Sequence, residues 1–235
     1  VAYRRIMLKL SGEALGLDGW LFDYEKIRQV AGVLCDITHR GIEAGVVIGG
    51  GNIWRGRQGG AAGMDVVTAD QMGMLGTVLN CLIMKDAVIQ AGGKACVMSA
   101  IHMPQVCDIY RADNARQRLS EGAVVFFGGG LGNPCFTTDS AVVLRAVEIQ
   151  ADAILLAKNI DGVYTADPRN NPDAVMLRDI TYAEAIDRRL KVMDTAAFAL
   201  CAEQRVPLLR VFGLDDPANI LRVLDGSDMG TVLHP

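Results

Sequence analysis

Short, almost wholly apolar runs alternate along this chain with longer stretches whose apolar positions recur at helical spacing. That is the pattern of parallel strands buried on both faces and joined by crossover helices. Tyr3 to Leu10 predicts a first strand, and Tyr24 to His39 a helix with Ile27, Val30, Ala31, Leu34 and Ile37 on one face, ended by Gly41. A buried strand at Gly45 to Ile48 opens directly into Gly49-Gly50-Gly51-Asn52. A long helix, about Asp65 to Ala91, stops at Gly92-Gly93, and Ala95 to Met98 reads as the next strand. After a helix around Asn114 to Leu119, the strand Ala123 to Phe127 runs into Gly128-Gly129-Gly130-Leu131-Gly132-Asn133-Pro134. Thr137, Thr138 and Asp139 are N-cap candidates for a helix from Ser140 to Gln150. The strand Ala153 to Ala157 leads to an irregular polar segment reaching Asp173. Helices at Tyr182 to Asp187, Asp194 to Gln204 and Pro217 to Leu224, with a strand at Leu208 to Phe212, complete the chain. No repeat or linker divides it, so one α/β domain spanning residues 1–235 is expected.

Length and charge narrow the class. A chain of 235 residues buries roughly 70% of its unfolded surface and needs no staples. The net charge of −4 and pI near 5.4 argue against an electrostatic nucleic-acid binder. Mean hydropathy is high at +0.24, yet charges are expected to interrupt each apolar run before the roughly 18 residues of a spanning helix. Lys9 likewise breaks the first run before it could serve as a signal-peptide core, which gives the expectation of a cytoplasmic protein with no membrane partner. Cys35, Cys81, Cys96, Cys107, Cys135 and Cys201 are scattered, with no C-x-x-C. They read as structural thiols, and no protein metal site is expected. His39, His102 and His234 lie too far apart to suggest imidazole chemistry.

The candidate chemistry lies in the glycine turns that follow strands, where backbone N–H groups converge on anionic oxygens. Gly93-Lys94 lacks the rest of a P-loop, and Gly128 to Asn133 places Asn133 where a dinucleotide fingerprint needs glycine. Lys9 stands in an otherwise apolar strand just before Ser11-Gly12, and burying an ammonium without an anion is costly. Arg55, four residues after Gly51, has the reach and geometry of a phosphate clamp. Each residue also has a plain alternative: the glycines as tight turns, Lys9 reaching solvent by its stem, Arg55 as a surface arginine, Asp139 as a helix cap. Asp70, Asp167 and Asp194 have similar alternatives.

Taken together the motifs are specific. Lys9-Leu10-Ser11-Gly12-Glu13-Ala14-Leu15, Val47 to Asn52 with Arg55-Gly56, Asp70-Gln71-Met72-Gly73-Met74, Gly132-Asn133-Pro134 with Phe136-Thr137-Thr138-Asp139, Asp161 to Pro168, and Lys191-Val192-Met193-Asp194 resemble the bacterial uridylate kinases of the amino acid kinase superfamily over essentially the whole chain. The resemblance implies a three-layer α/β/α sandwich with a mostly parallel central sheet, and a homohexameric enzyme that converts UMP and MgATP to UDP and ADP. By position, it implies Lys9, Leu10, Ser11 and Gly12 around the transferred phosphoryl and ATP, with Gly51 and Arg55 on the phosphates. It implies Gly50 and Asp70 on UMP, Asp70 at the ribose, and Leu131, Gly132, Asn133, Pro134, Cys135, Phe136, Thr137 and Thr138 as the acceptor cradle. Lys158, Tyr164 and Asp167 would hold ATP, and Asp194 would orient the catalytic Lys9. GTP as activator and UTP as inhibitor are further implications. The chain departs from the family pattern at Leu131 (usually Thr), at Cys135 (commonly aromatic), at Lys158-Asn159, and in a shorter segment from Gly16 to Phe22.

The reaction suits these residue types. Phosphoryl transfer needs positioning and cationic stabilisation more than covalent chemistry. A phosphate monoester with a second pKa of about 6 is already a deprotonated nucleophile, so no general base is required. A superfamily kinase acting on a carboxylate acceptor and a non-catalytic nucleotide sensor on the same fold are the alternatives. The Arg55 loop and Gly132 to Asp139 weigh against the first, and Lys9, Asp139, Asp167 and Asp194 against the second.

Overall fold

In the computed structural model, residues 3–17, 20–55 and 63–235 are described. Eleven strands are found among them: β1 (Arg5–Leu10), β2 (Glu43–Ile48), β3 (Lys94–Ser99), β4 (Asp108–Ile109), β5 (Ala123–Gly128), β6 (Ala153–Lys158), β7 (Val163–Tyr164), β8 (Met176–Leu177), β9 (Asp179–Thr181), β10 (Leu209–Gly213) and β11 (Thr231–His234). The helices are α1 (Tyr24–His39), α2 (Val66–Gln90), α3 (Ala112–Ser120), α4 (Thr138–Ile149), α5 (Tyr182–Asp187), α6 (Thr195–Glu203) and α7 (Asn219–Leu224), with a 3-10 turn at Gly12–Leu15. Nine strands form one sheet in the order β4-β3-β5-β2-β1-β6-β10-β11-β9. Its pairings are parallel except for β10 against β11. β7 and β8 form a separate hairpin in the polar segment.

Both faces of the sheet are covered, so its central strands are buried along their whole length. Alternation then sorts the side chains. Ile6, Leu8 and Leu10 of β1, with Ala153, Leu155 and Ala157 of β6, pack against α1, α2 and α7. Met7, Ile154 and Leu156 pack on the opposite face against α3, α4, α5 and α6. The three-layer mostly parallel sandwich is therefore the architecture found.

Local chemistry sets the helix ends. The Asp23 carboxylate caps α1 through the Glu25 and Lys26 N–H groups, and Asp65 caps α2 at the Thr68 N–H, 2.9 Å away. Thr137 caps α4. α2 is long and apolar enough, by length and composition, to cross a membrane, because no charge occurs between Asp70 and Lys85. The charge-free run itself is 14 residues, short of the roughly 18 of a spanning segment as expected, and it is the helix around it that reaches the length and composition of a span. In the fold, Cys81, Met84 and Val88 of α2 pack into the core beside α1, so the helix is apolar because it is internal on one side. Cys35, Cys81 and Cys201 are buried thiols as expected, and Cys135 is exposed.

Candidate active site

The chain order of the sheet reverses at β1: it leaves β1 for β2 on one side and later returns to place β6 on the other. Crevices form at the carboxyl ends of strands around such a point. Here the loops after β1, β2, β6 and β10 line one cleft, which includes Lys9, Ser11, Gly12, Gly49 to Gly51, Thr138, Lys158 to Asn170, Arg188 to Val192 and Gly213 to Asp215. Its floor is tight. A Cβ on Gly12 would overlap the Gly49 carbonyl, so glycine is required for the loops after β1 and β2 to touch.

Alternation explains why lysines meet here. Met7 and Leu156 point into the α4 layer, and two residues further along neighbouring strands Lys9 and Lys158 point to the same side. The first turn of α4 supplies the counter-charge. Lys9 Nζ donates to Asp139 Oδ1, with the two side chains only 11% and 15% exposed. Lys158 Nζ lies 3.9 Å from the same oxygen and donates to the Val192 carbonyl. Burial pushes the Asp139 carboxyl up, but the charges of Lys9 and Lys158 and the Lys9 hydrogen bond outweigh it, and the carboxyl stays below its ordinary range. Burial, partly opposed by Asp139 and reinforced by the Lys9 charge, pushes the Lys158 ammonium down to about 8. One carboxylate thus holds two cations at the mouth of two glycine loops, an arrangement suited to stabilising a moving phosphoryl group.

Asp194, expected to orient Lys9, meets it through Asp139, whose carboxylate accepts the Asp194 backbone N–H. Asp194 does not pair with Lys9: its carboxylate caps α6 at the Ala197 N–H, 2.7 Å away, and accepts the Thr137 hydroxyl. As an N-cap it is held at the helix end, whereas Asp139, one residue into α4, faces the lysines.

The other expected residues divide. Ser11, Gly12, Gly50, Gly51, Thr138, Lys158, Tyr164 and Asp167 line the cleft. The Leu10 side chain is fully buried in the core, so only its backbone is available to the cleft. Arg55 is more than half exposed, paired to Glu13 Oε1 at 2.8 Å and donating from Nε to the Gly51 carbonyl at 3.3 Å. It stands beside the second glycine loop rather than at Lys9. Gly56, which follows it, lies outside the described residues. Tyr164 donates its hydroxyl to Asp161, 2.9 Å away, and Asp167 holds the Arg169 guanidinium at 2.9 Å. Leu131 to Thr137 and Asp70 form a neighbouring surface, where Asp70 Oδ2 accepts the Cys135 N–H at 2.7 Å, with Cys135 at φ 69°. Phe136 is 54% exposed at this surface.

Sequence reading missed the support behind these loops. Asn80 of α2, fully buried, donates to the Gly49 carbonyl at 2.6 Å and exchanges hydrogen bonds with Asn52. An asparagine in the middle of an apolar helix is the signal that marks it.

The chain matches the amino acid kinase family over residues 4–209. It is 49% identical to a uridylate kinase of Pseudoalteromonas atlantica, over 100% of this chain and 95% of that protein. Among solved structures, a UMP kinase from Bacillus anthracis superposes with a TM-score of 0.94 at 37% identity, covering 99% of this chain and 96% of that one. A UMP kinase from Ureaplasma parvum gives 0.93 at 36%, covering 99% of each chain. With the parallel sheet, the lysine pair on Asp139 and likeness along the whole length, this chain belongs to the amino acid kinase family and, within it, to the uridylate kinases.

Proposed function

We propose that this chain, acting as a single catalytic domain in the cytoplasm, transfers the γ-phosphoryl group of ATP to UMP and releases UDP and ADP. The observation that carries the reading is the Lys9–Asp139 pair at the junction of the glycine loops after β1 and β2. In this reading Lys9, with the backbone N–H groups near Gly12 and Gly50, neutralises charge on the transferred group. Asp139 keeps the lysine aimed. Lys158, Tyr164 and Asp167 lie on the donor side, and Asp70 with Leu131 to Thr138 on the acceptor side. The donor enters as MgATP. The ion is assigned to the triphosphate, whose oxygens together with retained waters fill its octahedral shell.

The proposal includes assembly as a homohexamer. Met72, Leu75 and Leu79 form an exposed apolar stripe along α2, at the steps that place residues on one helix face. Activation by GTP and inhibition by UTP belong to the same proposal, to be read from rates at low UMP with each nucleotide added.

A coupled ADP-release assay with UMP, CMP, dUMP and amino acid acceptors tests the activity. Uracil offers an acceptor at O4 and a donor at N3, the reverse of cytosine, and a site built for one pattern leaves groups unpaired with the other. UMP is expected to exceed CMP in kcat/KM by about 10³ or more. Comparable values for the two would replace the proposal with a broader pyrimidine nucleotide kinase.

A further inference from the structure

The loop after β5 has an unusual backbone. Gly129, Gly130 and Gly132 adopt φ of 74°, 58° and 78°, a left-handed path that only glycine takes without strain. Glycine also loses the most chain entropy when it is ordered, so this path persists only if something outside the loop holds it. Two buried side chains do so, and neither lines the cleft described above.

Thr77 of α2 is 3% exposed. Its Oγ1 accepts the Gly129 N–H at 2.8 Å and donates to the Met74 carbonyl at 2.6 Å. Arg145 of α4 is 6% exposed and approaches from the other face of the sheet. Its Nη2 donates to the Gly130 carbonyl at 3.4 Å, Nη1 pairs with Glu148 at 2.6 Å, and the guanidinium lies 3.7 Å from the centre of the Tyr110 ring. The Tyr110 hydroxyl closes the ring of contacts on Glu148 at 2.6 Å. A desolvated guanidinium is expensive to bury, and Glu148 with the aromatic face offsets this cost. The fork is thereby left fixed, with one arm aimed at the loop.

We propose that Thr77 and Arg145 are positioning residues that hold the Gly129–Gly130 turn at its two ends, so that the loop Gly128–Thr138 is preformed for the acceptor nucleotide. The proposal rests on reading Leu131 to Thr138 as the acceptor cradle. Holding a loop in its bound shape lowers the ordering cost that the ligand would otherwise meet. Loss of either grip therefore weakens UMP and leaves ATP alone.

Steady-state kinetics on the full chain, with each substrate varied at saturating partner, tests this. Thr77→Val keeps the shape and removes the acceptor oxygen, whereas Thr77→Ser keeps the hydroxyl and removes the methyl. Arg145→Lys keeps the charge for Glu148 but loses the fork. Thr77→Val and Arg145→Lys are expected to raise the KM for UMP about tenfold, with the KM for ATP within about twofold of the parent and Thr77→Ser close to the parent. An unchanged UMP KM in Thr77→Val and Arg145→Lys overturns the proposal, as does Thr77→Ser behaving like Thr77→Val. Should Arg145→Lys fail to fold, the Thr77 pair decides. Phe136→Ala separates the two possible failures. If it raises the UMP KM while the Thr77 and Arg145 variants do not, the positioning roles fall and the cradle stands. If all of these variants raise the ATP KM instead, the acceptor reading itself falls.

Discussion

The floor of the cleft and the loop after β5 solve opposite problems with the same sheet. At the floor, Lys9, Lys158 and Asp139 concentrate three charges in a buried space, and the effect depends on side-chain ionisation. Across from it, Gly128 to Thr138 presents backbone, with the buried Arg145 behind it occupied by Glu148. Charge placed at the floor acts on a reacting group whose own charge shifts during transfer. Backbone held rigidly at the loop selects shape and hydrogen-bond pattern. The comparison predicts that changes at the floor strike turnover and changes at the loop strike acceptor affinity.

The sharpest way to break that division is Lys9→Ala. It removes the cation aimed at the transferred group, and kcat is expected to fall by about 10³ with the chain still folded by circular dichroism. A smaller effect on kcat than on the UMP KM would erase the distinction between floor and loop. Next in size is the contrast between the two aspartates. Asp139→Asn removes the carboxylate paired with Lys9 and Lys158, and is expected to lower kcat by about 10² and stability by about 3–5 kcal/mol. Asp194→Ala removes a helix cap and is expected to lower stability by about 1 kcal/mol, with the smaller loss of turnover. Denaturant melts and kcat measured side by side check both; the reverse order would restore Asp194 as the partner of Lys9.

The smallest expected effect is the pH dependence. With its ammonium pushed down to about 8 by burial, Lys158 loses its charge as pH rises through that value, so kcat/KM for ATP is expected to fall up to about tenfold between pH 7 and 9. Lys158→Arg should remove this alkaline limb. The stability linkage has the opposite sign. Between about 8 and the ordinary lysine value the unfolded chain binds the proton that the folded chain has released, so Lys158 makes folding more favourable as pH rises through that window. A Tm that rises there while kcat/KM falls assigns both to Lys158; an alkaline limb that survives Lys158→Arg places it elsewhere.

Much of this was legible along the chain. The α1 and α5 boundaries read from spacing coincide with those found, and the α2 limits fall on its caps Asp65 and Ala91. Runs such as Ala123 to Phe127 carry their strand assignment in local composition. β4, β7, β8, β9 and β11 did not, because they have two to four residues each. A segment that short has no period to read, and it becomes a strand only when a neighbour offers its ladder. Lys9 stood out because a charge in an apolar run violates its surroundings, and no partner was needed to see that.

Which anion meets Lys9 is a different kind of fact. Asp139 and Asp194 are both aspartates near a helix start, and along the chain they differ little. The sheet brings β1 beside β6 and lays α4 across them, which sets Asp139 over both lysines and turns Asp194 to the first turn of α6. Asn80, Thr77 and Arg145 act across separations of 31, 52 and 15 residues, contacts that no local pattern records. The periodicity of apolar positions determined the strands, the helices and the oddity of a buried lysine, since each depends on neighbours in sequence. The pairing of charges and the grip on the glycine loops were decided by the tertiary structure, since hydrogen bonds and ion pairs act over about 3 Å and only the packed layers bring those groups that close.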